Sequence, residues 1–271
     1  MKFIGMAVVM LLGGACFAQA ADDTTPLLDP GVSQQIAAIL QDYESAHSVR
    51  LVITSETSVL QQGSGLLGSK TAGNTQASIR PYSRGQFFVQ SAHQDDRGGH
   101  SSASSLSLCG LVTLFTQGSA STRTESALGA TPLIFDFASD NLIRTTALEF
   151  EGSPCHPRGG ASFMIRVTTE QTFKQALYPT HRVQSVRSYQ CLAAEAVAGT
   201  GYFAAVMGQV LPVHCELAAG KENVAIGALD FIFLSDAGLY VPTDQHLTFG
   251  HKVRDDRQTQ ITDLEYGGDA N

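Results

Sequence analysis

Tryptophan is absent and basic residues are scarce: 17 Lys and Arg stand against 25 Asp and Glu, a net charge of −8. Without Trp the commonest anchor for stacking a sugar ring is missing, and only Tyr and Phe remain for it. The acidic balance, with an isoelectric point near 5.4, argues against a general nucleic-acid binder, which needs a basic footprint. Charged residues make up only 15% of the chain and hydrophobic ones 43%, which excludes a disordered or collagen-like polymer. Beyond the N-terminus no apolar run approaches a membrane-spanning length. At 271 residues the chain suffices for one large domain or two small ones with a sizeable core.

The first residues are the most informative. Met1-Lys2 supplies a positive charge, Phe3 to Leu12 is a short apolar run, and Ala18-Gln19-Ala20 is a small-x-small cleavage site. This is the layout of a secretory signal peptide over 1–20, cleaved after Ala20, and the run is too short for a permanent membrane helix. Acylation at Cys16 is the less favoured alternative, because Gly13-Gly14-Ala15 lacks an aliphatic residue three places upstream. The expected product, 21–271, is exported to the periplasm with no transmembrane segment after cleavage.

Four cysteines remain in that product: Cys109, Cys155, Cys191 and Cys215. In an oxidising compartment an even number predicts two disulfides, with three pairings open. Cys191 and Cys215 flank a segment that reads as a strand with a turn, which favours Cys191–Cys215 and Cys109–Cys155. No CxxC pattern or paired reactive arrangement supports a catalytic or metal-binding thiol.

Asp29-Pro30 opens a helix as N-cap and first helical residue, and Val32, Ile36, Ile39, Leu40 and Tyr43 give it one apolar face as far as about His47. From Ser48 the period becomes two, with Val49, Leu51 and Ile53 on one face of a strand. Strand-like runs follow at 76–80, 86–92, 106–116, 121–126, 163–168, 202–206, 210–217, 224–234, 247–253 and 259–266. Thr131-Pro132 again looks like a capped start, predicting a short helix over 133–138, and a further helix is expected over 169–177. Segments 61–74 and 95–105 read as Gly- and Ser-rich surface, and Arg254 to Gln258 as a connecting turn. Many strands in series with few helices imply antiparallel pairing, since parallel strands need long crossovers.

Catalytic motifs are missing: there is no HExxH, no Walker A, no GxGxxG and no GxSxG. Gly68-Ser69-Lys70-Thr71 lacks the strand and helix context of a phosphate loop. His93, Asp95, Asp96 and His100 are metal-capable side chains in one short stretch, but a hydrated turn explains them as well. Cys155-His156-Pro157 is less specific still. Eight histidines and many serines supply candidates for a Ser/His/Asp hydrolase, yet none sits on a recognisable strained turn, and His251 falls on an apolar strand face. No enzyme, metal or cofactor is expected.

An exported chain with an opening helix, a first strand over 48–54, Arg80-Pro81 followed by Phe87-Phe88, a strand Leu111 to Thr116 and then Gly129-Ala130-Thr131-Pro132-Leu133-Ile134 resembles the periplasmic outer-membrane lipoprotein carrier and sorting family (LolA-like). The final strands, Gly238 to Pro242 and Ile261 to Tyr266, look like that family's closing hairpin. The segment from about 139 to 227 matches nothing in it and reads as a middle insertion, and Tyr82 to Gln86 departs from the family spacing. The resemblance implies an α+β, mostly β fold: a curled antiparallel sheet, a half-barrel, covering a few helices in a single domain. It further implies an apolar cavity holding a lipid, a lipoprotein or another apolar ligand, at about 0.8 kcal/mol per buried methylene. Inward candidates are Leu51, Ile53, Phe87, Leu114, Leu133, Ile134, Phe231, Phe233 and Phe249, all of which also suit an ordinary core. The alternatives are a disulfide-stapled envelope adaptor that meets a protein partner through its surface, and a secreted hydrolase.

Overall fold

Thirteen β-strands, one α-helix and one short 3-10 helix (Gly199–Gly201) make up the computed structural model, which describes residues 28–41, 43, 47–61, 69–128, 131–175, 178–206, 208–218, 225–249 and 253–269. The leader expected over 1–20 and His251 lie outside the described residues. The helix, α1 (Pro30–Ile39), starts where the sequence places it: Asp29 accepts from the Gly31 amide at 2.8 Å and Pro30 needs no partner for its nitrogen. It stops earlier than His47, and Tyr43 is buried beyond its end, its hydroxyl donating to the Ala237 carbonyl at 3.1 Å.

The strands are β1 (His47–Gln61), β2 (Ser69–Ser83), β3 (Gln86–Asp95), β4 (His100–Leu108), β5 (Val112–Leu128), β6 (Thr131–Glu151), β7 (Ser162–Gln175), β8 (Tyr178–Ala193), β9 (Val197–Ala198), β10 (Gln209–Ala218), β11 (Ala225–Leu234), β12 (Leu239–Phe249) and β13 (Val253–Asp269). Each pairs antiparallel with its sequence neighbours, apart from β9, which adds two residues alongside the start of β10 while β8 pairs with the rest of that strand. Two pairings turn this meander into a ring: β10 with β11, and β13 with β1 over a register running from His47↔Asp269 to Gln61↔Val253. The result is a closed 12-stranded antiparallel barrel, since an up-and-down meander can close this way only with an even strand number.

This corrects the expected open half-barrel over a few helices. An open sheet would leave two rows of backbone N–H and C=O groups unpaired, and here β1 and β13 satisfy each other's. Two expected helices are strands. Residues 133–138 belong to β6, where Pro132 is tolerated because β7 pairs with β6 only from Ser139 onward, leaving the first residues of β6 without a donor requirement on that side. Residues 169–175 belong to β7, whose Thr168, Thr169, Thr172 and Phe173 suit a pleated surface better than a helix. Segment 139–227 runs through β6, β7, β8 and β10 of the same ring.

At one end the barrel is filled. One cluster joins the apolar face of α1 to Leu106, Leu108, Val112, Leu114, Leu148, Phe163 and Ile165, and another joins Val49, Leu51, Ile53, Ile79 and Phe87. The β11–β12 hairpin divides its two faces between them. Phe231, Phe233 and Tyr240 face the first cluster, while Ile232, Leu234, Leu239 and Val241 face the second. Tyr240 is fully buried, with its ring 4.7 Å from that of Phe233 and its hydroxyl donating to the Pro154 carbonyl at 2.6 Å. The β4–β5 turn packs closely here: the Tyr240 amide donates to the Cys109 carbonyl at 2.7 Å, and a Cβ on Gly110 (φ 76°) would collide with the Tyr240 carbonyl oxygen.

Both disulfides sit in this end. Cys109 bonds to Cys155, and Cys191 bonds to Cys215, its cross-strand partner on β10. A bulge in β6 between Thr145 and Ala147 is held on both sides: Thr145 Oγ1 donates to the Thr113 carbonyl at 2.7 Å, and the Leu148 amide donates to Gln35 Oε1 of α1 at 3.0 Å.

Candidate functional site

Towards the other end the inward side chains change character. Where β1, β2 and β13 alternate, the row that carries the core at Leu51 and Ile53 continues into Ser55, Thr57, Thr75, Thr259, Arg257 and Asp255. The opposite face of the same strands presents Arg50, Glu56, Gln76, Arg80, Gln258 and Gln260 to the outside. A barrel embedded in lipid has the reverse pattern, an apolar outer band.

Strand register arranges this inner wall into adjoining rows. One passes from Cys215 on β10 through Leu229, Gln245 and Arg257 to Thr57 and Gly73. The next passes from Leu217 through Gly227 and Leu247 to Asp255. Leu217 and Leu247 are buried together, with Tyr189 and Leu229 packed against them. An apolar stripe from β10 to β12 thus adjoins a polar one on β12, β13 and β1.

The polar stripe is only partly satisfied. Ser55 and Thr259 share a hydrogen bond of 3.0 Å, and Gln245 Nε2 donates to Asp255 Oδ2 at 3.2 Å. Thr57 Oγ1, Asp255 Oδ1 and Arg257 Nε are buried with no hydrogen-bond partner among the described residues. Burial pushes the Asp255 carboxyl above the ordinary carboxylate value, against the opposing pull of Arg257. Across Gly73, the cross-strand partner of Thr57, lies the ring of His93, filling the space a Cβ would need; His93 Nδ1 bonds Thr75 Oγ1 at 2.9 Å. Orphaned buried polar atoms cost about 1–3 kcal/mol each, so a cluster of them on one inner face marks a place where a partner is expected.

The outer face of the same wall holds a different arrangement. His246 on β12 bonds its cross-strand partner Asp256 through Nδ1 at 2.8 Å, and its Nε2 lies 3.4 Å from Asp244. Arg254 grips the other Asp256 oxygen at 2.8 Å. The bond to Asp256, helped by the charge of Asp244, raises the His246 pKa above the ordinary histidine value. Burial works to raise that of Asp256, but the hydrogen bonds from His246 and Arg254 outweigh it and bring it below the usual carboxylate range. A groove of about 640 Å³ opens beside this cluster, lined by Glu56, Ser58, Asn74, Asp96 and Gln258 among others.

Of the residues singled out in sequence, Leu51, Ile53 and Phe87 lie in one core cluster and Leu114, Phe231 and Phe233 in the other, each at most 8% exposed. Leu114 also borders a small pocket of about 240 Å³ next to Leu28 and Phe115. Leu133, Ile134 and Phe249 belong to β6 and β12, but their side chains lie outside the description. Among the described residues no group of His, Cys, Asp or Glu is placed to hold a metal ion. In the His93–His100 stretch Asp95 Oδ1 instead accepts from the amides of Arg97 and Gly99, at 2.9 and 2.6 Å, as a hydrogen-bonded turn does.

Asp255 and Arg257 are not recognisable in sequence because the charged run Arg254–Gln258 reads as a turn, and Thr57 and Gln245, on other strands, belong to no motif. That run lies inside β13. The signal that reveals it is the alternation of Val253, Asp255, Arg257, Thr259 and Ile261 at period two, with charges on the inward positions.

No protein-family model matches the chain, so the resemblance to lipoprotein carriers has no family model behind it. No curated protein matches it either. Among solved structures it is similar to a β-barrel-like protein of domain of unknown function DUF1849 from Brucella abortus. The TM-score is 0.33 at 10% identity, covering 82% of this chain and 99% of that one. That likeness is too distant to carry function from one protein to the other.

Proposed function

We propose that the protein is an exported, non-catalytic binding barrel that holds an amphiphile, such as a lipid or the acylated part of a lipoprotein, against the inner wall formed by β10 to β13 and β1. The observation that carries this reading is the juxtaposition, on one inward surface, of the Leu217–Leu229–Leu247 stripe with the unsatisfied Thr57, Asp255 and Arg257. The packing of Leu51, Phe87 and Leu114 into the core at the stapled end supports a ligand position in the other half of the barrel, where the wall changes from apolar to polar. Two disulfides fit an oxidising, exported compartment, with the periplasm as the proposed location.

Native mass spectrometry of the disulfide-intact protein, purified from its own compartment without detergent, tests this. A discrete adduct in the mass range of a fatty acid or phospholipid is expected. A clean apo mass, together with failure to bind an added long-chain fatty acid at one-to-one stoichiometry, overturns it.

A second reading, an envelope adaptor acting through its surface, is favoured by Leu192, Val197 and Tyr202, which stand 55%, 40% and 43% exposed in one short stretch around β9. Replacing all three with Ser then abolishes co-purification of a specific protein partner while leaving any lipid adduct in place.

A further inference from the structure

We infer that the polar part of the bound amphiphile is zwitterionic, a headgroup carrying both an ammonium and a phosphate or carboxylate, and that Thr57, Asp255 and Arg257 read it. This rests on the binding reading above and specifies the ligand of that same site.

The three orphaned atoms differ in kind. Arg257 Nε is a donor only, Asp255 Oδ1 is an acceptor, and Thr57 Oγ1 can serve as either. Thr57 is 8% exposed and is the direct cross-strand partner of Arg257, and Asp255 is the next inward residue along β13. A ligand that completes all three must therefore both donate and accept within one small region.

Charge narrows the class further. The site sets one guanidinium beside one carboxylate, with the His93 ring on the adjoining wall near enough to act on Asp255. A purely anionic headgroup drawn to Arg257 would be set against Asp255, and a purely cationic one drawn to Asp255 would be set against Arg257. In a half-buried position either mismatch is costly, because desolvation weakens the screening that a surface site would enjoy. A zwitterion meets both. Its anionic oxygens accept from Arg257 Nε and Thr57 Oγ1, its ammonium donates to Asp255 Oδ1, and Gln245 keeps the other Asp255 oxygen occupied. The acyl part then lies along Leu229 and Leu247, which share these rows through Gln245 and Asp255.

Isothermal titration of the oxidised protein with two short-chain lipids of identical tails tests the inference. The probes are dihexanoyl-phosphatidylethanolamine and dihexanoyl-phosphatidylglycerol, with free phosphoethanolamine as a third arm. The zwitterionic lipid is expected to bind about tenfold more tightly than the anionic one, the loss associated with one mismatched charged hydrogen bond. Asp255→Asn, which keeps the shape of the side chain, is expected to bring the two lipids to parity while both still bind. Arg257→Gln, which leaves Asp255 without its neighbouring cation, is expected to weaken both lipids while keeping or widening the preference for the zwitterionic one, with circular dichroism confirming that each variant is folded. Equal binding of both lipids by the unaltered protein overturns the headgroup assignment and leaves the amphiphile reading standing. Binding of neither lipid overturns both. Free phosphoethanolamine binding as tightly as the lipid supports the zwitterion site but removes the acyl contribution, and with it the amphiphile.

Discussion

Thr57 on β1 and Arg257 on β13 face each other across the seam that closes the barrel, and each carries a buried polar atom without a hydrogen-bond partner among the described residues. The closing pair of strands is thus also the wall with unmet hydrogen-bonding capacity. A protein that needed only closure has apolar residues available for these positions, as at Ile53 and Ile261 deeper in the same pair.

That relationship makes Thr57→Val informative. In the ligand-free protein it removes an orphaned hydroxyl at little change of shape, and stability in denaturant unfolding is expected to rise by about 1 kcal/mol. Ligand affinity is expected to fall in the same variant. A loss of stability instead would show that the hydroxyl has a partner in the free protein.

Removing the disulfides separates their contributions. In the chain-entropy account, replacing Cys191 and Cys215 with Ala costs about 3.5 kcal/mol and replacing Cys109 and Cys155 about 4 kcal/mol, the larger loop losing more. Urea midpoints of the two double variants check the order, and an unchanged midpoint in either contradicts it.

Tyr240→Phe keeps the ring packed against Phe163, Phe231 and Phe233 but leaves the Pro154 carbonyl without its donor. A loss of about 1–3 kcal/mol is expected, against about 3–5 kcal/mol for Tyr240→Ala, which also opens a cavity. Thermal unfolding of both variants distinguishes the hydrogen bond from the packing.

The outer cluster predicts a pH signature. The raised pKa of His246 means that its ion pairing with Asp256 and Asp244 is fully present below the unfolded histidine value and is lost as pH rises through the folded one. The lowered pKa of Asp256 sets the other limit: its contribution is present above the unfolded carboxylate value and is lost as pH falls through the folded one. NMR titration of the His246 ring is expected to show a midpoint above the ordinary value of about 6.5, falling towards it in Asp256→Asn. A midpoint unmoved by that substitution contradicts the assignment.

Much of this architecture is legible in the residues. Asp29-Pro30 marks the start of α1, and the alternation at Val49–Ile53 and Phe163–Val167 marks the inward rows of β1 and β7. The pairing of Cys191 with Cys215 is legible too, although 202–206, expected as a strand between them, forms turns after a short 3-10 helix over Gly199–Gly201. Closure is not legible, because the pairing of β1 with β13 joins segments some two hundred residues apart and leaves no local trace beyond period two. Thr131-Pro132 satisfies helix-start chemistry and strand-start chemistry equally, and only the pairing of 131–138 with Ser121 to Leu128 of β5 decides between them. The inner polar stripe is hidden for a related reason. Charges at inward strand positions look like a turn until the strand's partners are known.

The most direct test of the central claim is methyl NMR on leucine-labelled, disulfide-intact protein titrated with dihexanoyl-phosphatidylethanolamine. Shifts and ligand contacts are expected at Leu217, Leu229 and Leu247, with Leu51 and Leu114 unmoved. Contacts at Leu51 and Leu114 instead, or no response from any leucine, would contradict it.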